Sequence, residues 1–332
     1  TVEATVTTAN SFVRHTVSMQ LRALEIPALR AGVQVGGNLG LQQVGPESGV
    51  LLHWGDLTVG GDLAFQRVED IPVQSDSVPM TGMSYRDMSH REDRWLSMWA
   101  GGSVHLMQLS PGQTSDAVLP INVHAHRYPM PGLRRDHWEY EQLKQLAMKY
   151  GTYLAIDRDG LLYPGGVVEP GHGVRPDDYL RSRNVGDARG LVFIDTLDRT
   201  APRADNLGVL RLNASYLEAI LVVQGHVIVS PAASGQSLSA LSPSSGGSGA
   251  AANRTAVQLS DIHLNGVLYA AGNIVLDRPS RLFGAVLAEG TIMTDRPGTT
   301  MEVWYDHQMG RGLFRGVPVV MRAPGTWMVR YE

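Results

Sequence analysis

From Gly266 to Pro297 the chain writes nearly the same phrase twice, GVLYAAGNIVLDRPSRLF and then GAVLAEGTIMTDRP. At a shift of 284 − 266 = 18 residues, Gly266/Gly284, Ala270/Ala288, Gly272/Gly290, Ile274/Ile292, Asp277/Asp295, Arg278/Arg296 and Pro279/Pro297 are identical. Leu268 falls opposite Val286, and Tyr269 opposite Leu287. Short apolar runs with glycine turns at a fixed period leave few folds open. One copy cannot bury its apolar face alone, so copies stack and share a core, as the coils of a β-solenoid do.

The same grammar recurs elsewhere. Val33-Gln34-Val35-Gly36-Gly37-Asn38-Leu39 is echoed by Leu57-Thr58-Val59-Gly60-Gly61-Asp62-Leu63, spaced 60 − 36 = 24 residues. Leu221 to Val229 is a further strand, turn, strand unit, and Leu191-Val192-Phe193-Ile194 reads as a short buried strand. The fold class expected is mainly β: an N-terminal helix, then a β-solenoid (parallel β-helix) carrying an irregular α+β insertion.

Residues 1–30 are the expected helical segment, because Val6, Phe12, Val13, Val17 and Leu21 fall near helical spacing before Pro27. Residues 31–65 are read as a first solenoid or sheet segment and 66–205 as the insertion. Within the insertion, a helix is predicted from Asp136 to Tyr150, with Leu143, Leu146 and Ala147 on one face and Gly151 ending it. Residues 206–332 are the C-terminal solenoid. The Ser/Gly/Ala/Pro stretch at 230–253 is read as a flexible loop within it.

Hydrophobic residues make up 43% and charged residues 18%, so a core can form and whole-chain disorder is excluded. The formal net charge of −4 gives no global basic footprint for nucleic acid. The cations are nearly all arginine, since Lys144 and Lys149 are the only lysines. The absence of cysteine excludes disulfides, zinc-thiolate sites and a cysteine nucleophile. No run of about eighteen apolar residues is present to cross a membrane as a helix. A first residue other than Met suggests a processed or truncated product.

Few residues carry a signal of chemistry. His124-Ala125-His126 offers two imidazoles but no evident third ligand, and reads better as strand histidines than as a metal site. Asp157-Arg158-Asp159-Gly160 begins like a calcium loop, but Leu161-Leu162-Tyr163 breaks the pattern and leaves an Asp-Gly turn. No G-x-S-x-G elbow is present. The basic candidates for a DNA-binding surface are Arg278, Arg296, Arg134, Arg135, Arg181 and Arg183. Arg278 and Arg296 occupy equivalent positions in successive copies and would lie one strand spacing apart, about 4.8 Å. Stacked guanidiniums could meet phosphates; the competing reading is that Asp277 and Asp295 neutralise them in a salt-bridge ladder. Trp95, Trp99 and Trp138 either stack bases or fill the core of the middle region. No catalytic residue, metal or cofactor is expected.

The stretch LNGVLYAAGNIVLDRPSRLFGAVLAEGTI, with MEVWYD after it, resembles the C-terminal part of PilX-like pilus-associated proteins, a group of type IV pilus minor pilins. The matching positions are Gly266, Tyr269, Ala270, Gly272, Asn273, Gly284, Ala285, Ala288, Gly290, Tyr305 and Asp306. In that family the pattern builds a β-solenoid. LKQLAMKYGTYL, from Leu143 to Leu154, is similar to the helix that precedes it. The resemblance covers the last hundred residues or so fairly well, the first thirty or so loosely and the middle hardly at all. "DRP" stands at 277–279 and 295–297 where the family has a Gly-Asn turn. The family's N-terminal hydrophobic stretch and leader-cleavage site are absent.

The resemblance implies a non-enzymatic, extracytoplasmic subunit on the cell surface, partnered by other pilins. In this reading Val6, Phe12, Val13, Val17 and Leu21 pack the helix into a filament and a missing membrane half anchors it. The solenoid is presented at the tip. Two ligand readings stand: DNA capture in natural transformation, or adhesion and assembly priming through protein partners only. From a different class, a β-helical carbohydrate-active enzyme would need carboxylates clustered on one solenoid face.

Overall fold

The computed structural model describes residues 2–7, 14–19, 21–23, 32–39, 49–65, 98–119, 123–127, 137–183, 190–241, 256–296, 298–306, 313–314, 317–318, 320–322 and 328–331. They divide into two units: 27–307, and a second unit formed by 1–26 with 308–332. The chain is mainly β, and most strand pairs of the larger unit are parallel.

The larger unit is organised by a 12-stranded sheet. Leu217–Val223, Leu264–Ala270 and Ser280–Ala288 run side by side in parallel. Gly266 lies opposite Gly284 and Ala270 opposite Ala288, so the 18-residue repeat of the sequence is the register of the ladder. Because side chains alternate between faces, register turns single residues into columns. One column reads Val192, Leu221, Leu268, Val286, Val33, Leu57, Met98, Val123. All of these side chains are buried. Burying each Val or Leu contributes roughly 1.5–3 kcal/mol, which no isolated copy could obtain.

Beyond each strand the chain turns a corner and forms a short partner strand. Gly225–Val229, Ile274–Leu276 and Ile292–Thr294 stack in parallel with Gly208–Leu212 in a 4-stranded sheet. Leu63–Phe65 and Val104–Leu106 form a second parallel pair.

The corner explains the glycines. Backbone N–H groups donate down a stack of glycine carbonyls: Gly272 to Gly225 (2.9 Å), Gly290 to Gly272 (3.1 Å), Gly37 to Gly290 (2.8 Å), Gly61 to Gly37 (3.1 Å) and Gly102 to Gly61 (2.9 Å). A second, side-chain ladder runs beside it. The Asn273 N–H donates to His226 Nδ1 (3.0 Å) and the Thr291 N–H to Asn273 Oδ1 (3.1 Å). Thr291 Oγ1 donates to the Asn38 carbonyl (2.7 Å), the Asp62 N–H to Asn38 Oδ1 (2.9 Å) and the Ser103 N–H to Asp62 Oδ1 (2.8 Å). The Asn and Asp side chains fill the space that a Cβ on the next layer's glycine would need: a Cβ on Gly290 would overlap Asn273 Oδ1, one on Gly61 Asn38 Oδ1, and one on Gly102 Asp62 Oδ1. The Gly-then-Asn or Gly-then-Asp spelling is therefore a packing rule between layers.

The order of the layers is not the order of the chain. Thr300–Tyr305 pairs with the first part of Ser280–Ala288, at 280–284, and Val33–Val35 with its last part, at 286–288. One layer is thus made of two segments from opposite ends of the sequence, and Gly32 accepts the Val286 N–H at 2.9 Å. The next layer is Gly49–His53 on Thr300–Tyr305 and Leu57–Val59 on Val33–Val35. Met98–Ala100 and then Val123–His124 follow.

The predicted boundaries at 65/66 and 205/206 fall inside this unit. Within the expected insertion, Met98–Ala100 and Val123–His124 extend one end of the main sheet, and Leu191–Ile194 and Thr152–Ile156 the other. Leu191–Ile194 was legible as a short buried strand; Met98–Ala100 and Val123–His124 are too short for any pattern of their own. The predicted helix is present as His137–Tyr150, with Tyr140, Leu143 and Ala147 buried and the Gly151 N–H donating to the Ala147 carbonyl at 3.0 Å. Part of the expected flexible loop is also ordered: Gln236–Leu241 pairs antiparallel with Ala256–Ile262. Residues 242–255 lie outside the described residues.

The smaller unit overturns the N-terminal helix. Val2–Thr7 and Arg14–Met19 are antiparallel strands, with Met328–Tyr331 on the second, and Leu21–Ala23 pairs with Val320–Arg322. Val6 lies opposite His15, Val17 opposite both Ala4 and Val329, and Leu21 opposite Arg322. Phe12 and Val13 lie outside the described residues. The physical reason is composition. Valine and threonine dominate this stretch, and their χ1 restriction favours the pleated strand over the helix. The far partner strands come from the other end of the chain, where local spacing cannot announce them. Val6, Val17 and Leu21, expected on a helical packing face with Phe12 and Val13, lie instead in strands.

Candidate functional site

At the corner after Ile274–Leu276, Asp277 is held by groups from three other strands or corners. Ser230 Oγ donates to Asp277 Oδ2 at 2.7 Å, Arg211 Nη1 lies 3.2 Å from the same oxygen, and Arg296 Nη2 lies 3.3 Å from Oδ1. The Ser230 hydrogen bond first, then the Arg296 and Arg211 guanidiniums, hold the Asp277 carboxyl below its ordinary value against its desolvation. Arg211 and Arg296 keep 51% and 68% of their side chains exposed, so both present guanidinium edges to solvent while anchored on one carboxylate.

Arg278, in the same corner, donates to the Pro231 carbonyl at 3.3 Å. The two predicted arginines sit at equivalent corners but do not form a simple vertical pair. Arg296 reaches back one layer to Asp277, and Arg278 turns to backbone. Of the expected salt-bridge ladder the structure gives one diagonal pair, Arg296 with Asp277. Arg211 was missed by sequence reasoning, although alternation along Gly208–Leu212 places it on the exposed side with Val209. Arg134 and Arg135 lie outside the described residues. Arg181 and Arg183 lie on the helix Pro176–Arg183, where only the backbone is described.

The other sequence candidates resolve into structural roles. Asp157 Oδ1 accepts the N–H groups of Asp159 (3.0 Å) and Leu161 (2.9 Å), Tyr163 donates to Oδ2 (2.8 Å), and Gly160 takes φ +78. This is an Asp-Gly turn with its carboxylate spent on the turn. His124 stacks on Trp99 at 4.2 Å, and burial followed by Arg127 lowers its pKa. Arg127 lies over the Trp99 ring at 5.7 Å. Trp95 and the side chain of Trp138 lie outside the described residues. Among the described residues, no group of three or more His, Asp or Glu could hold a metal, and no helix is long and apolar enough to cross a membrane.

A second polar centre went unread in the sequence. Asp195, just past Leu191–Ile194, is fully buried. Its Oδ1 accepts from Tyr140 Oη (2.6 Å) and the Thr196 N–H (2.8 Å). Its Oδ2 accepts from Tyr153 Oη (2.6 Å) and lies 2.9 Å from Lys144 Nζ. Tyr140 and Lys144 are one helical turn apart on His137–Tyr150, and Tyr153 comes from the strand that follows. Burial, then the Asp195 hydrogen bond, pushes both tyrosines well above their usual range, so both remain donors. The signal available was the Tyr-x-x-x-Lys spacing in a chain almost without lysine.

No family model matches the chain, and no curated protein matches it. Among solved structures, the competence-associated pilin ComZ from Thermus thermophilus is similar at 13% identity and a TM-score of 0.32, with 97% of this chain and 78% of that chain covered.

Proposed function

We propose that this chain is a non-enzymatic, minor-pilin-like subunit of a type IV pilus, with residues 27–307 forming a β-solenoid that is presented at the filament tip. One observation carries the reading. The positions on which the family resemblance rests occupy matching places in the stack: Gly266 on Gly284, Ala270 on Ala288, Gly272 bonded to Gly290, and Tyr305 beside Gly284. The motif positions lie in parallel layers that share columns, which supports the reading. A stack of this kind serves to hold a surface outward. Its partners would be other pilin subunits, and its place the cell surface. Val2–Thr7, Arg14–Met19 and Leu21–Ala23 are strands and offer no helical packing face, so contact with the filament is assigned elsewhere.

Antibody labelling of isolated pili tests the role. Label confined to tips is expected; even label along filaments, or none, overturns it. For the ligand, the exposed Arg211 and Arg296 edges support DNA capture over a purely protein partnership. A titration with duplex DNA at two salt concentrations should show binding that falls steeply with salt. Arg211→Ala, Arg278→Ala and Arg296→Ala together should weaken it. Absence of binding at low salt removes DNA and leaves adhesion or assembly priming.

A further inference from the structure

We propose that Lys144 and Asp195 condense into an intramolecular isopeptide bond, which ties the helix His137–Tyr150 covalently to the end of the strand Leu191–Ile194. The two reacting groups are already in contact, with Nζ 2.9 Å from Oδ2, Asp195 fully buried and the Lys144 side chain 13% exposed. Their walls are aromatic. Lys144 Nζ lies 5.3 Å and 5.8 Å from the Tyr140 and Tyr153 ring centroids, and Phe193 packs on both tyrosines at 5.8 and 6.1 Å. Lys144 Nζ also donates to the Arg199 carbonyl at 2.6 Å, which fixes the amine beside the Asp195 carboxyl.

The choice of residue supports this chemistry. The chain carries a Lys+Arg total of 28, and only Lys144 and Lys149 are lysine. A buried carboxylate in such a chain would ordinarily meet arginine, whose fork binds it bidentately and never gives up its charge. Lysine is the cation that can become a nucleophile.

The tyrosines supply the rest of the reaction. Tyr140 Oη lies 3.2 Å from Lys144 Nζ and donates to Asp195 Oδ1 at 2.6 Å, so it bridges amine and acid as a proton relay. A proton leaves the ammonium, and Oδ1 gains one through Tyr140. The Nζ lone pair attacks Cγ, and the C–N bond forms. A second proton from nitrogen reaches Oδ1, the C–Oδ1 bond breaks, and water departs. Oδ2 becomes the amide carbonyl oxygen and is held by the Tyr153 hydroxyl while negative charge develops on it. An ammonium with three protons and a carboxylate give an amide with one proton and one water; no oxidant or external acid is needed.

Intact-mass spectrometry of the full chain under denaturing conditions tests the bond. The mass expected is one water below that of the sequence, and fragmentation should yield a branched peptide joining the segments around Lys144 and Asp195. Lys144→Arg should restore the full mass, and Tyr140→Phe should leave a mixture that converts slowly on incubation. Unaltered mass of the native chain after prolonged incubation overturns the proposal, as does a water loss that maps to any other pair. The native chain alone decides the question if a variant fails to fold.

Discussion

The ladder beside the glycine corner makes a quantitative claim at Gly61 and Asn38. Asn38 Oδ1 accepts the Asp62 N–H at 2.9 Å and occupies the place where a Cβ on Gly61 would sit. Gly61→Ala must therefore expel the carboxamide. The lost hydrogen bond is worth about 1 kcal/mol, and overlap in a packed corner adds roughly 1–3 kcal/mol, for a total near 2–4 kcal/mol. Asn38→Ala alone loses the hydrogen bond, about 1 kcal/mol where water can replace the acceptor. In the double variant the methyl introduced by Gly61→Ala enters the space that the carboxamide vacated. The pair should then cost roughly 1–2 kcal/mol less than the sum of the single changes. A stacked array does not unfold as one cooperative step, so the readout is native-state hydrogen exchange by mass spectrometry on the peptide spanning 57–65. Gly61→Ala should lower protection there by about 30- to 1000-fold, since about 1.4 kcal/mol is tenfold. An equal cost of Gly61→Ala with Asn38 in place and in the Asn38→Ala background would refute the interlayer packing rule.

Four histidines, His124 among them, give the larger unit a pH response. Burial lowers the pKa of His53, His226 and His263, and the Nδ1 atoms of His226 and His263 accept the backbone N–H groups of Asn273 and Arg281, each at 3.0 Å. The unfolded chain takes up protons first as pH falls below about 6.5, so stability should be full above that value and decline towards the lowered native values. Denaturant midpoints at pH 7.5 and 5.5, with His226→Asn reducing the difference, check this. Leu268→Ala, in the fully buried column, should destabilise by about 2–5 kcal/mol. Val209→Ala, at a position 41% exposed, should change stability by no more than about 0.5 kcal/mol in hydrogen exchange.

What was legible in the sequence was local and periodic. The repeat from Gly266 to Pro297 announced parallel layers and their register, and the Gly-Gly turns announced the corners, because interlayer packing imposes identities at fixed spacing. The helix His137–Tyr150 was legible from its apolar face. Illegible were features settled by distant partners. Val6 and Val17 sit at spacings a helix would accept, yet their neighbours are strands, one of them from the far terminus. Arg278 turns to the Pro231 carbonyl and Arg296 to Asp277, whose other partners, Arg211 and Ser230, come from other layers that local sequence does not reveal. Asp195 showed nothing by itself; it acquires meaning only when a helix and two strands converge on it.

The layer shared by Thr300–Tyr305 and Val33–Val35 bears on how the molecule is made. The strands Val33–Val35, Leu57–Val59, Met98–Ala100 and Val123–His124 can stack on one another as soon as they are synthesised, and those from Thr152–Ile156 to Thr300–Tyr305 can do the same later. The seam between these half-stacks closes only when the last strand of the second has left the ribosome. Thr291 Oγ1 reaches the Asn38 carbonyl across 253 residues of sequence. Until then the apolar edge at Val33–Val35 waits without its neighbour, and so does the edge at Val286. The topology therefore implies a docking of two partly built ladders, in which the earliest layers to appear are the last to be joined.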